Sequence, residues 1–135
     1  MRRFHFYFGI AVVIVFLLTG QYMEYVHNRT LPDGPRLLYR SRHIYLLFSG
    51  LINLSIGAYL TYRAAGWRRR LQVIGSMLLT LGPVLLLIGF FREPARGPEE
   101  TMIAPFGIYV TALGTLLHVL SATRSGNDGG IEHER

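Results

Sequence analysis

Hydrophobic positions along this chain come in four unbroken runs, not in the periodic patterns of a soluble fold. Residues 4–23, 43–62, 71–91 and 101–123 contain no Asp, Glu, Lys or Arg. Each run is about 20 residues long, and a helix of that length, at about 1.5 Å per residue, matches the roughly 30 Å hydrocarbon layer of a bilayer. A helix on a soluble core carries a polar face, and these runs carry none. The pattern predicts an all-α integral membrane protein with four transmembrane helices, over about 4–26, 43–62, 71–91 and 102–122, packed as an antiparallel bundle. Residues 1–124 then form a single membrane domain. The tail 125–135 opens on Ser-Gly-Asn-Asp-Gly-Gly and is expected to be disordered.

The polar residues collect in the connections. The first connection holds Leu31-Pro32-Asp33-Gly34-Pro35, which reads as a turn that a helix would not tolerate. The second carries Trp67 and Arg68 to Arg70, suited to the head-group level. The third, 92–100, holds Pro94, Gly97 and Pro98. The first run follows Arg2-Arg3 as a secretory signal would. It is longer than a usual signal core, and no small-x-small site precedes Gln21, so a retained helix is expected.

Charge then sets the orientation. The net charge of +6 comes from 14 arginines and no lysine. With the N-terminus inside, Arg2, Arg3, Arg63, Arg68, Arg69, Arg70, Arg124 and Arg135 lie on the cytoplasmic side. Arg29, Arg36, Arg40, Arg42, Arg92 and Arg96 lie outside. Eight against six favours both termini in the cytoplasm. The arginines flank the spans instead of forming one face, so their expected partner is the lipid head group and not nucleic acid. An all-arginine basic set fits a GC-rich, bacterial coding sequence, and hence the bacterial inner membrane. The absence of cysteine excludes disulfides and thiolate metal sites.

Glycines recur every seven residues within the runs: Gly50 and Gly57; Gly75, Gly82 and Gly89; Gly107 and Gly114, continued by Ser121. Each set forms one narrow stripe, as expected for close helix contacts in a left-handed bundle. Pro83 and Pro105 are compatible with membrane helices, Pro105 as a first-turn residue.

Candidate chemistry rests on the few polar residues within or beside the spans. Asn53 shares a face with Gly50 and Gly57 and should point inward, with Thr80 or Thr111 as hydrogen-bond partners. Gln21 is a second intramembrane polar position. His118 shares a face with Gly114 and Thr111. Two inward histidines at one depth would suggest a b-type haem. His5, beside Arg2 and Arg3, is expected at the surface, which leaves His118 to bond Tyr59, Gln72 or Ser76. At the outer end, Glu24 and His27 share a face with Gly20, and His43 begins the stripe of Gly50. Glu24, His27 and His43 form a candidate site for a divalent metal. In the competing reading Glu24 pairs with Arg40 or Arg42. A di-iron centre is not expected, because the other spans are read as lacking carboxylates.

No P-loop, nucleophile elbow or His-Glu-x-x-His pattern occurs. The length is similar to that of small multidrug exporters, but the middle of the first run is Val12 to Phe16 and lacks the carboxylate those proteins use. The expected role is non-catalytic: an accessory, assembly or structural membrane protein with a membrane-protein partner or a second copy. The alternatives are a haem- or metal-binding redox protein using the histidines, and a small carrier using Asn53.

Overall fold

The structure is a computed structural model that describes residues 1–26, 31–59, 66–96 and 101–122. It contains four helices and, among the described residues, no strand: α1 (Arg2–Val26), α2 (Asp33–Tyr59), α3 (Trp67–Arg96) and α4 (Ile103–Ala122). Three segments, Arg2–Tyr25, Trp67–Ala95 and Ile103–Ala122, are long and apolar enough to cross a membrane. The expected disordered tail lies outside the described residues.

Two helices start earlier than their apolar runs. α2 begins at Asp33, ten residues before His43, so the Pro-Asp-Gly-Pro stretch opens a helix instead of preventing one. Pro35 sits in the first turn, where a missing N–H breaks no intrahelical bond. Asp33 is acidic in that turn, pairs with Arg36 one turn on, and favours the positive end of the helix dipole. α3 begins at Trp67, so Arg68 to Arg70 form its first turns and not a loop. Gly66 precedes it with φ of 84°, a left-handed conformation that glycine adopts without strain. Arg68 lies over the Trp67 ring at 5.6 Å.

The helices pack in chain order, α1 on α2, α2 on α3 and α3 on α4, while α1 and α4 face each other without backbone packing. Neighbours run antiparallel. Phe6 near the start of α1 meets Gly57 near the end of α2, and Gly20 meets His43. Gly75, Gly82 and Gly89 on α3 face the Gly114 carbonyl, Thr111 with Gly107, and Ala104 on α4. The glycine stripes therefore lie at the closest helix contacts, where packing in lipid requires small residues.

Beside each glycine stripe runs a second stripe, also with a seven-residue period and buried throughout. It comprises His5, Val12 and Thr19 on α1; Tyr39, Leu46 and Asn53 on α2; Gln72, Leu79, Leu86 and Glu93 on α3; and Ala104, Thr111 and His118 on α4. A 3.5-residue repeat is the seam of a left-handed supercoil. Leu46, Leu86 and Ala104 form an apolar cluster along it, and buried polar groups stand at either end, Glu93 at one and His5, Asn53 and His118 at the other. Large apolar side chains such as Leu17, Phe48, Met77, Phe106 and Tyr109 point outward. Polar groups inside and apolar groups outside is the reverse of a soluble fold.

A Cβ on Gly82 would collide with Thr111 Oγ1 and lie 3.2 Å from the Gly107 carbonyl, whereas one on Gly34 meets nothing within 4 Å. Gly82→Leu should therefore destabilise the α3–α4 pair by about 1–3 kcal/mol or more. Gly34→Leu should stay within about 0.5 kcal/mol of wild type. Unfolding in mixed micelles measures both.

Candidate functional site

Two polar layers close the ends of the bundle. At one end Glu93, 1% exposed in the last turns of α3, joins three helices. Its Oε2 accepts from Arg42 Nε of α2 at 2.8 Å. Its Oε1 accepts from the backbone N–H groups of Ile103 and Ala104 at 2.7 and 3.0 Å. These are the first two orphan donors of α4, and a carboxylate there is favoured by the helix dipole. The next residue, Pro105, has no N–H, and Phe106 N donates to the Met102 carbonyl. Every donor in the first turn of α4 is thus accounted for. Arg42, 6% exposed, also donates to Ser41 Oγ at 2.9 Å. Tyr39 and Tyr22 meet Phe90 edge-on above this layer.

This geometry corrects two sequence expectations. Glu93 belongs to a helix interior and not to a connection, so a carboxylate does lie within the bundle. Arg42 pairs with Glu93 and not with Glu24. The charge-free run ends at Phe91, but α3 continues through Arg92, Glu93 and Pro94 to Arg96.

The candidate outer metal residues are not drawn together among the described residues. Glu24 is exposed near the end of α1. His43 stacks on Phe16 with ring centres 4.0 Å apart and lies 2.9 Å from Thr19 Oγ1 through Nδ1. The Thr19 hydroxyl donates to the Phe16 carbonyl, so His43 Nδ1 is the donor in that pair. His27 lies outside the described residues. No group of three metal-binding side chains occurs among the described residues. Gln21 is exposed.

At the other end one layer takes a side chain from each helix. Asn53, fully buried, donates through Nδ2 to the Ser49 carbonyl at 2.9 Å and the Leu79 carbonyl at 3.1 Å. The second bond has a cause in α3. Leu79 lies four residues before Pro83, whose missing N–H leaves the Leu79 carbonyl without its helical partner. Asn53 supplies the lost donor from the neighbouring helix. With both amide hydrogens so placed, Asn53 Oδ1 faces His5 and accepts from Nδ1 at 2.8 Å. The expected partners Thr80 and Thr111 instead bond carbonyls of their own helices, Ser76 and Gly107.

His5 is 0% exposed, not at the surface. His118, 4% exposed, meets Ser76 Oγ through Nε2 at 3.2 Å, one of the expected partners. The two imidazole rings stand at 86° to one another with centres 5.8 Å apart. The signal for His5 was present in its seven-residue spacing to Val12 and Thr19, outweighed by its arginine neighbours. Among the described residues, His5 Nε2 and His118 Nδ1 have no hydrogen-bond partner. A buried polar atom left so costs about 1–3 kcal/mol.

Two open recesses flank this layer. One of about 580 Å³ is lined by Met1, Phe4, Val73, Ser76, Met77 and Thr80 among others, and is almost wholly apolar. The other, about 520 Å³, lies among Arg2, Arg3, Phe6, Tyr7, Gly57 and Ala58. Comparison with protein-family models, curated proteins and solved structures found no match.

The Asn53–Leu79 bond makes a coupled prediction. Asn53→Leu should destabilise the bundle by about 1–3 kcal/mol, because it strands the Leu79 carbonyl and His5 Nδ1. In a Pro83→Ala background the restored helical N–H satisfies Leu79, so the same substitution should cost measurably less. Unfolding free energies of the four proteins in one detergent decide it; equal costs in both backgrounds contradict the assignment.

Proposed function

We propose that this chain is an integral membrane protein crossing the bilayer four times, with both ends cytoplasmic, and that it acts without catalysis as an accessory or assembly partner of another membrane protein. The observation that carries this reading is the inverted distribution of polarity. Large apolar side chains stand outward on every helix, and Arg42, Glu93, Asn53, His5 and His118 are turned inward.

That inversion supports α2 as the fourth crossing despite its lower apolarity. Its two most costly residues for lipid are Arg42 and Asn53, and both bond to α3 within the bundle. Arg36 and Arg40 fall in its first turns, at head-group depth. Arg2, Arg3 and Arg68 to Arg70 gather at the opposite end, which supports a cytoplasmic placement there. The arginine-lined recess between α1 and α2 suits anionic lipid. An all-arginine basic set favours the bacterial inner membrane.

The non-catalytic part of the reading draws on how the inward groups are engaged. Glu93 accepts three hydrogen bonds and Asn53 makes three, all within the bundle. Asn53 is therefore a poor candidate for a carrier site. What remains for a partner is the lateral surface, where Phe106, Tyr109, Leu113 and Leu116 stand exposed along α4.

The chain has no cysteine, so single introduced cysteines report topology without background. Thr30→Cys and Gly97→Cys should react with a membrane-impermeant maleimide in intact cells, and Ala65→Cys and Gly126→Cys only after lysis. The opposite labelling pattern overturns the orientation, and identical labelling of Thr30→Cys and Ala65→Cys overturns the α2 crossing. Purification in mild detergent should recover a stoichiometric membrane-protein partner; recovery of the chain alone in every mild detergent contradicts the accessory role.

A further inference from the structure

The layer formed by His5, Asn53, Ser76 and His118 brings two buried imidazoles together beside a side-chain amide and a hydroxyl. Both imidazoles are more than nine-tenths buried, and each holds one ring nitrogen without a partner, Nε2 on His5 and Nδ1 on His118. The other nitrogen of each ring is engaged, by Asn53 Oδ1 at 2.8 Å and by Ser76 Oγ at 3.2 Å. Asn53 cannot rotate its amide without breaking its bonds to the Ser49 and Leu79 carbonyls, so its oxygen must accept. The proton of neutral His5 therefore sits on Nδ1, and Nε2 presents a bare lone pair. An oxygen acceptor on one ring nitrogen, leaving the other free, is how metal-binding histidines are held in tautomer and orientation, and Asn53 holds His5 in this way.

Spacing agrees. An ion bonded to one nitrogen of each ring at about 2.0 Å holds the ring centres about 6 Å apart, and here they are 5.8 Å apart. The rings stand at 86° to one another, and two-coordination leaves rotation about each metal–nitrogen bond free.

Charge selects the ion. Phe4, Asn53, Ser76 and Gly75, which pack against the pair, bring no carboxylate. Glu93 lies more than four turns along α3 from Ser76 of this layer, about 25 Å away at the helical rise. Arg2 and Arg3 are the nearest charged side chains in sequence, and the Met1 amino group is a further positive charge acting on His5. Two neutral imidazoles cannot offset a double positive charge there, and the cost of burying charge rises with its square. A closed-shell monocation that accepts two neutral nitrogen donors is copper(I), and imidazole is an established donor for copper. We infer that His5 and His118 form a two-coordinate site for a single copper(I) ion, oriented by Asn53 and Ser76. The inference goes beyond the accessory reading and does not depend on it.

The test uses the full chain in detergent, kept anaerobic with ascorbate and titrated with copper(I) against a chromophoric chelator, with zinc(II) titrated in parallel. Wild type should bind one copper(I) per chain, with an X-ray absorption spectrum of two nitrogen neighbours, and should prefer it to zinc. His5→Gln and His118→Gln should each lose at least about tenfold in affinity, while His43→Gln at the other end binds as wild type. Helicity and gel-filtration profiles report folding. If a glutamine variant fails to fold, His118→Met replaces it: a thioether should retain copper and reject zinc. Absence of copper binding, equal binding in a folded His118→Gln variant, or preference for zinc overturns the proposal. So does a Soret band in protein from haem-replete cells that His5→Gln abolishes, since haem iron then claims the pair.

Discussion

Glu93 sits at one end of an apolar bundle with its carboxylate removed from solvent, and three donors from two other helices hold it there. Arg42 reaches it from α2, and the first two N–H groups of α4 reach it from across the α3–α4 connection. Removing a charge from water costs several kcal/mol, and only a complete set of partners offsets it. The arrangement satisfies two needs at once, since the orphan donors of α4 also require an acceptor where water is scarce. The register of α2 against α3, and the starting point of α4, follow from this contact. One helical turn of slip in either would leave Arg42 or the α4 terminus unpaired.

The opposite end obeys the same rule with neutral groups. Pro83 opens a gap in the hydrogen-bond ladder of α3, Asn53 fills it from α2, and the remaining Asn53 oxygen fixes His5 of α1. α4 enters through His118 and Ser76. Between the two polar layers lie glycine contacts and an apolar seam, which let the backbones approach but specify register weakly. Each layer thus selects among arrangements that the seam alone would tolerate. The two layers differ in one respect. Among the described residues both oxygens of the Glu93 carboxylate are engaged, while the histidine layer leaves two ring nitrogens without partners.

Much of this was legible in the order of residues. Four charge-free runs announce four helices, and the glycine heptads mark which faces meet. The glycines drew attention to one stripe per helix, and the neighbouring stripe held the chemistry. Gln72, Leu79, Leu86 and Glu93 keep the same seven-residue period, as do His5, Val12 and Thr19. Following that period would have placed Glu93 and His5 inside. Local composition argued the other way: Pro94 mimics a helix end, and Arg2 and Arg3 mimic a solvated terminus. The early start of α2 was hidden for the same reason, since Pro32 and Pro35 break a helix interior but not its first turn. No single-sequence pattern could reveal that Asn53 compensates for Pro83, because the link joins residues thirty positions apart on different helices.

Whether the Glu93–Arg42 contact holds the helices in register is decided by a double-mutant cycle. Arg42→Met, Glu93→Leu and the double variant are unfolded in the same bicelles as wild type. Each single substitution should cost about 3–5 kcal/mol, because it leaves a buried charge alone. The double variant should cost less than their sum by more than about 1 kcal/mol, the remainder reflecting an uncapped α4. Costs that add to within about 0.5 kcal/mol would mean that the two side chains do not act on each other, and the account of what sets the register would be wrong.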